Sequence, residues 1–388
     1  MKIAFLTDGI YPYVLGGMQR HSTNLIKHLA LNGFEITLFH CVYDDSKLPT
    51  EKEVNSQLFE NQSAVNVRVV GLKFPKSNSI PGHYLFNSRK YSILVYQELL
   101  RSNIFSFDFI YCKGFSAWKL IIEKKKLPKI PAIGLNFHGY EMWQDAAGLK
   151  SKLIQLFFRP FVKWQSVNSD FVFSYGGKIN NILEKIGVSK DRIIELPSAI
   201  EKKCIRVSKI TTADVIKFLF VGRYERRKAV EEINDSVLSL NQQGINFEFH
   251  FVGPIPSSKK VNAKNIIYHG ILTNNEKIFS VIDTCDVLLC PSFSEGMPNV
   301  ILEAMSRGLA VIASDVGAVS LLVGSENGVL LQKNNSASIS DALIYFSNLG
   351  KDELVELKKK SIEKIQDNFT WNVVVEDFSN KISRICQG

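Results

Sequence analysis

Apolar residues along this chain occur in two patterns: short unbroken runs, and longer stretches where they recur every three or four positions. The runs read as strands buried on both faces, and the periodic stretches as helices with one apolar side. Ile3–Leu6 is the first predicted strand. Gly16-Gly17 opens a helix carrying Leu25, Ile26 and Leu29; it stops at Asn32-Gly33, and the strand Phe34–Phe39 follows. Val65–Gly71, Phe109–Cys112, Ala132–Asn136 and Phe171–Ser174 continue the strands, with helices predicted over Tyr84–Leu100, Lys119–Lys126 and Ser151–Val167. The pattern then restarts. Lys217–Val221 runs into a Gly-Arg turn and a helix around Ala229–Leu240, followed by strands at Phe247–Val252, Ile266–His269, Val287–Cys290, Ala310–Ala313 and Gly328–Leu331.

Strand–helix alternation predicts parallel sheets covered on both faces. A chain of 388 residues is too long for one ordinary core, and the restart divides it in two. The expected fold class is therefore α/β, with two Rossmann-like doubly wound domains facing across a cleft. The polar, basic stretch Leu196–Thr212 reads as the linker, giving domains over 1–197 and 198–369. Such sheets bind ligands beyond the carboxyl ends of their strands, so residues just after strands are the candidates for chemistry.

Composition narrows the class. Hydrophobic residues are 45% and charged residues 22%, the balance of a globular chain. No apolar run approaches the ~18 residues of a membrane-spanning helix, and the apolar run within Met1–Asp8 is too short for a signal peptide. The six cysteines (Cys41, Cys112, Cys204, Cys285, Cys290 and Cys386) lack metal-ligand spacing and read as reduced apolar residues of a cytoplasmic protein. The net charge of +9 lies in the first half: residues 1–200 hold 25 Lys+Arg against 16 Asp+Glu, and the remainder 22 against 22. That asymmetry fits an anionic partner. No nucleic-acid motif accompanies it, so nucleic acid is disfavoured. Lys150–Gln165 mixes cations with aromatics as a helix on an anionic bilayer would; a core helix with snorkelling lysines is the equal alternative.

Four constellations follow strands. After Val287–Cys290 comes Pro291-Ser292-Phe293-Ser294-Glu295-Gly296-Met297-Pro298-Asn299, then an apolar helix containing Glu303. Pro298 suits the first helical turn, and the free amides of Gly296, Met297 and Asn299 would form an anion site fit for a diphosphate. Glu303, roughly 7–8 Å up the helix at ~1.5 Å per residue, would meet a ribose, and Glu295 the sugar beyond the diphosphate. The plain alternative is a solvated loop acid and a salt-bridged helix residue. After Lys217–Val221, Gly222 turns the chain, and Arg223 and Lys228 bracket a loop that could neutralise a leaving diphosphate; Arg226 and Arg227 read as solvent-facing. Gly16 and Gly17 let the backbone approach a ligand at a helix start, although a simple turn also explains them. His138, after Ala132–Asn136, would face the cleft and orient a sugar, with Glu141 a weaker acceptor-side candidate. No GxGxxG follows the first strand, which counts against nicotinamide or flavin, and no Asp-x-Asp pair marks a metal site.

These four pieces, in this order, resemble glycosyltransferase family 4, of the GT-B architecture, across essentially the whole chain. The most specific marks are Glu295…Glu303 and Gly222-Arg223…Lys228. The resemblance implies retaining transfer from a nucleoside-diphosphate sugar without metal or other cofactor. It implies that Arg223 and Lys228 hold the diphosphate, Glu303 the ribose, and Glu295 the sugar hydroxyls. His138 would lie near the reactive end and Gly17 near the phosphates, with backbone near Ile271 reading the base. It also implies that the 370–388 helix crosses back onto the first domain. Two segments depart from the family pattern: Ser198-Ala199-Ile200-Glu201 at the interdomain crossing, and Gly317-Ala318-Val319-Ser320-Leu321 after a donor-domain strand. The expected acceptor is a glycan or lipid-linked sugar of bacterial surface-polysaccharide assembly, with the protein peripheral on the inner face of the membrane. A nucleotide-sugar epimerase of the same fold and a catalytically silent binding relative are the alternatives.

Overall fold

The computed structural model describes every residue except 44–46, 60–64, 66, 77–81, 207–209, 213 and 388. Seven strands form the first sheet: β1 (Lys2–Leu6), β2 (Glu35–Val42), β3 (Arg68–Lys73), β4 (Phe109–Lys113), β5 (Ala132–Asn136), β6 (Phe171–Ser174) and β7 (Ile193–Glu195). All pair in parallel, in the order β3-β2-β1-β4-β5-β6-β7. The second sheet comprises β8 (Ile216–Val221), β9 (Phe247–Val252), β10 (Ile266–Gly270), β11 (Val287–Cys290), β12 (Ala310–Ser314) and β13 (Gly328–Leu331). It too is parallel, in the order β10-β9-β8-β11-β12-β13. Each order reverses once, between β1 and β4 and between β8 and β11. Loops diverge at these reversals and leave crevices at the strands' carboxyl ends.

Strands β4, β11 and β12 are buried along their whole length, as their unbroken apolar runs require. Strand β7 escapes sequence reading because Ile193–Glu195 is too short to show a period. The helix Leu149–Asn168 runs through Pro160, an exposed residue.

The chain crosses between lobes twice, side by side. The Ile200 amide donates to Phe369 O (2.9 Å), and the Trp371 amide returns to Ile200 O (3.2 Å). Beyond that bridge the helix Trp371–Gln387 sinks Val374, Val375, Phe378 and Ile382 into the first lobe's core, and Trp371 stacks on His28 with centroids 5.4 Å apart. The unusual crossing residues are engaged: Glu201 accepts from His28 (3.0 Å) and Lys27 (3.3 Å), which together hold its carboxyl down to about 2.

An ion pair lies fully inside the second lobe. Lys358 Nζ sits 2.8 Å from Asp286 Oδ1, while Asp286 Oδ2 accepts the Lys217 amide at 3.1 Å. Lys358→Met should cost about 3–5 kcal/mol, because it strands a buried carboxylate. Urea unfolding checks this, and a loss under about 1 kcal/mol would show the pair is effectively solvated. Among the described residues, no helix is long and apolar enough to cross a membrane.

Candidate functional site

Strand β11 delivers its loop to the face where the lobes meet. Glu295 in that loop is 7% exposed. Lys228 Nζ lies 2.5 Å from its Oε1 and Arg227 Nη1 3.2 Å. Burial works to raise the Glu295 carboxyl, but the two cations outweigh it and keep the acid below its ordinary value. The loop is braced from behind: Ala318 N–H donates to Gly296 O (2.8 Å). Gly317 has φ +55°, and a Cβ there would lie 2.2 Å from Glu295 O. The departure from the family pattern at 317–321 thus keeps the glycine that this contact demands.

The basic turn after β8 divides its side chains in a way the sequence does not show. Gly222 donates to Val252 O (2.9 Å), and Arg223, 76% exposed at its side chain, pairs with Glu225 at 3.0 Å. Arg226 pairs outward with Glu231 and Glu232. Solvent-facing placement fits Arg226 but fails for Arg227. The tight turn Arg226–Lys228 rotates Arg227 inward, where its guanidinium also donates to Ser294 O (2.8 Å). Lys228 and Arg227, rather than Arg223, reach Glu295. A period-based reading cannot resolve direction in a three-residue turn.

The opposing surface belongs to the first lobe. Asn136 ends β5 and accepts the His138 amide at 2.6 Å, bending the chain so that His138 adopts φ +61°. The His138 ring is buried; its Nδ1 lies 2.6 Å from the Tyr175 hydroxyl and its edge meets His21. Burial, then the Lys113 charge, push its pKa well below 6.5, so the imidazole is neutral at physiological pH. Gly139 next to it touches the other lobe: a Cβ at 139 would lie 2.7 Å from the Gly296 Cα. Gln144 fastens this junction. Its Nε2 donates to Gly139 O and Glu295 O, both at 2.6 Å, and its Oε1 accepts the Glu295 amide at 3.1 Å. Nothing in the sequence marks Gln144; a lone loop glutamine has no pattern. Glu141, half-exposed, lies 3.9 Å from Arg227 Nη1, and burial raises its carboxyl pKa against that charge.

The helix after Glu295 starts at Asn299, one residue later than the sequence implies; Pro298 precedes it with extended ψ of 119°. The amides of Met297, Asn299 and Val300 make no hydrogen bond among the described residues. Met297 itself is buried, its sulfur receiving the Ser198 amide at 3.2 Å. Asn299 and Glu303, one turn apart, line a cavity of about 290 Å³ whose far wall is Arg20 and His21 of the Gly17–Leu31 helix. A Cβ on Gly17 would come 4.0 Å from Asn299 Nδ2, so the Gly16-Gly17 loop faces the Asn299 helix end. Ile271, just past β10, is 68% exposed. Glu303 is no ordinary salt-bridged helix residue: burial pushes its pKa up to about 7, opposed only partly by Arg20. A carboxyl raised in the fold binds its proton before the unfolded chain does, so its contribution weakens as pH rises from 4.5 through 7. Glu303→Gln should therefore raise the melting temperature at pH 8 and not at pH 5. Equal shifts at both would show that Glu303 is solvated.

Comparison with known proteins agrees along the chain. The family described as Glycosyltransferase Family 4 matches residues 15–202, and Glycosyl transferases group 1 matches residues 216–348. An uncharacterized glycosyltransferase of Methanocaldococcus jannaschii is 26% identical over 380 residues, covering 94% of this chain and 93% of its own. The N,N'-diacetylbacillosaminyl-diphospho-undecaprenol alpha-1,3-N-acetylgalactosaminyltransferase of Campylobacter jejuni is 22% identical, covering 72% and 77%. An Anabaena protein solved with UDP and glucose superposes with a TM-score of 0.69 at 14% identity, over 99% of this chain and 100% of that one. The two-sheet arrangement is the GT-B fold.

Proposed function

Since the chain belongs to glycosyltransferase family 4, we propose that it carries a sugar from a nucleoside-diphosphate donor to a lipid-linked or other cell-envelope glycan, retaining the anomeric configuration and using no divalent metal. The observation that carries this reading is the turn Glu295–Val300. It joins a buried carboxylate held by two cations to three unpaired amides at a helix start, all at the junction of the lobes.

The donor's diphosphate would sit against the amides of Met297, Asn299 and Val300, where the helix end favours negative charge. Its ribose would reach Glu303, and the Gly16-Gly17 loop would close over the phosphates. Lys228 has three N–H donors and spends one on Glu295, so it can turn another toward the phosphate oxygens as the sugar–oxygen bond breaks. Arg227 keeps Glu295 ionised, ready to accept the transferred sugar's hydroxyls. Arg223 lies close enough in sequence to join once a diphosphate draws it from Glu225. These cations supply the charge neutralisation a metal would otherwise give. Glu295 is engaged by two cations and is a poor nucleophile, which favours a path without a glycosyl-enzyme; the acceptor oxygen then enters on the face the diphosphate leaves, and its proton passes to the departing diphosphate oxygen. Neutral His138 is an uncharged hydrogen-bonding group for the sugar.

The Campylobacter relative is named for a diphospho-undecaprenol-linked acceptor and the Anabaena protein was solved with UDP and glucose; both favour this donor and acceptor class. The helix Leu149–Asn168 leaves Leu149, Leu153, Ile154 and Phe157 exposed among lysines, a surface suited to an anionic bilayer on the cytoplasmic side. A thermal-shift screen tests the donor site. Nucleoside diphosphates should raise the melting temperature more than nucleosides, and Arg223→Ala with Lys228→Ala should narrow the difference to what the amides alone supply. Equal shifts from both ligand classes would overturn the phosphate site.

A further inference from the structure

A second opening lies on the other side of the Glu295–Asn299 turn. It is a groove of about 610 Å³ lined from both lobes, Gln144 and Phe293 among its walls. The two openings draw on either end of this segment: Asn299 lines the cavity already described, and Phe293, two residues before Glu295, lines this one. A transferase needs two substrates to meet at one point; of the donor groups, Asn299 and Glu303 line the first cavity and none lines this groove.

The groove is cationic. Lys152 and Arg159 approach from the helix Leu149–Asn168, and Lys178 and Lys333 from other walls. Two acids line it, Asp145 and Asp315, and Lys178 matches Asp315 at 2.9 Å. Three cations are left facing one acid. Arg159 is prepositioned: its Nε donates to Met142 O at 2.7 Å, and its two terminal nitrogens make no hydrogen bond among the described residues. A guanidinium fixed at Nε with its fork open matches the geometry of phosphate oxygens. Lys152 and Lys333 likewise have no carboxylate partner among the described residues.

The same helix supplies the second half of an amphiphile's site. Lys152, Gln155 and Arg159 follow one helical face at the spacing i, i+3, i+7. Leu149, Leu153 and Leu156, at i, i+4, i+7, follow the adjacent face with Phe157 beside them, and all four are exposed, Leu149 by 76% and Leu153 by 60%. One residue of offset is about 100° around the helix, so the cationic and apolar stripes run side by side.

We propose that this groove seats the diphosphate of a lipid-linked sugar acceptor. Arg159, Lys152 and Lys333 grip the phosphates, the lipid lies along Leu149, Leu153, Leu156 and Phe157, and the acceptor sugar points inward toward Gln144 and Glu295. The inference rests on the transferase reading and adds the chemical class and location of the acceptor. A phosphate on a water-soluble sugar would use the same three cations; the continuous apolar stripe favours the lipid.

Calorimetric binding of three probes tests it: farnesyl diphosphate, farnesol and inorganic diphosphate. Wild-type protein should bind farnesyl diphosphate at least about tenfold tighter than either fragment, since each half adds contacts. The triple variant Lys152→Ala, Arg159→Ala, Lys333→Ala should weaken it about tenfold or more, while the melting-temperature rise given by a nucleoside diphosphate stays as in wild type. Lys152→Glu with Lys333→Glu, which leaves the Arg159–Met142 bond intact, should do the same and guards against misfolding. Unchanged affinity in both variants overturns the proposal, as does inorganic diphosphate binding as tightly as farnesyl diphosphate. So does displacement of bound farnesyl diphosphate by a nucleoside diphosphate, which would place the probe in the donor site. Failure of the donor reading shows separately, as a wild-type protein that no nucleoside diphosphate stabilises.

Discussion

Lys228→Ala should lower kcat by about 10²–10³-fold, the usual cost of removing one group that stabilises charge at the point of bond breaking. Folding should survive, because Arg227 remains 3.2 Å from Glu295 and keeps that buried carboxylate paired. The loss should fall on kcat more than on KM for the donor: the amides of Met297, Asn299 and Val300 still hold the ground-state diphosphate, whereas the ammonium answers charge that grows in the transition state. Lys228→Arg should recover only part, since a planar fork does not reproduce a compact ammonium between two anions. Initial rates of nucleoside-diphosphate release measure this. A Lys228→Ala protein with wild-type kcat and a raised KM would make the lysine a binding group only.

Gln144→Leu should reduce kcat by about 10–100-fold through a different route. The leucine keeps the volume but loses all three hydrogen bonds to Gly139 and Glu295, leaving the Glu295 amide unpaired at a part-buried junction. Closure of the lobes is then less favourable, and a displacement on the order of 1 Å between His138 and Glu295 is enough for a loss of that size. Nucleoside-diphosphate binding should change little, because the amides and cations that hold the phosphates belong to the second lobe and the first lobe adds only the Gly16-Gly17 loop. Small-angle scattering should show a larger radius of gyration for the variant, a readout independent of activity. A variant with lower kcat and an unchanged radius would mean Gln144 acts locally on Glu295; unchanged kcat would remove it from the mechanism.

The fold was largely legible because its strands are buried on both faces. Val287–Cys290 cannot be mistaken for amphipathic sequence, and the restart at Ile216 is visible as a second set of such runs. What escaped was short or directional. Ile193–Glu195 has three residues and no period, and Arg227 differs from Arg226 only in which way a tight turn points it. Pairings across the cleft are also silent in sequence. Glu295 stands out by its place after a strand, but Gln144, more than a hundred residues earlier, is recognisable only once Gly139 and Gly296 are seen to touch.

The direct test of the phosphate assignment is a crystal structure with a bound nucleoside diphosphate. The β-phosphate oxygens should lie within hydrogen-bond reach of Lys228 Nζ and of the amides at 297, 299 and 300, with a ribose hydroxyl on Glu303. A diphosphate found instead among Lys152, Arg159 and Lys333, with Lys228 still confined to Glu295, would contradict the assignment of donor and acceptor to the two sides of the 295–299 turn.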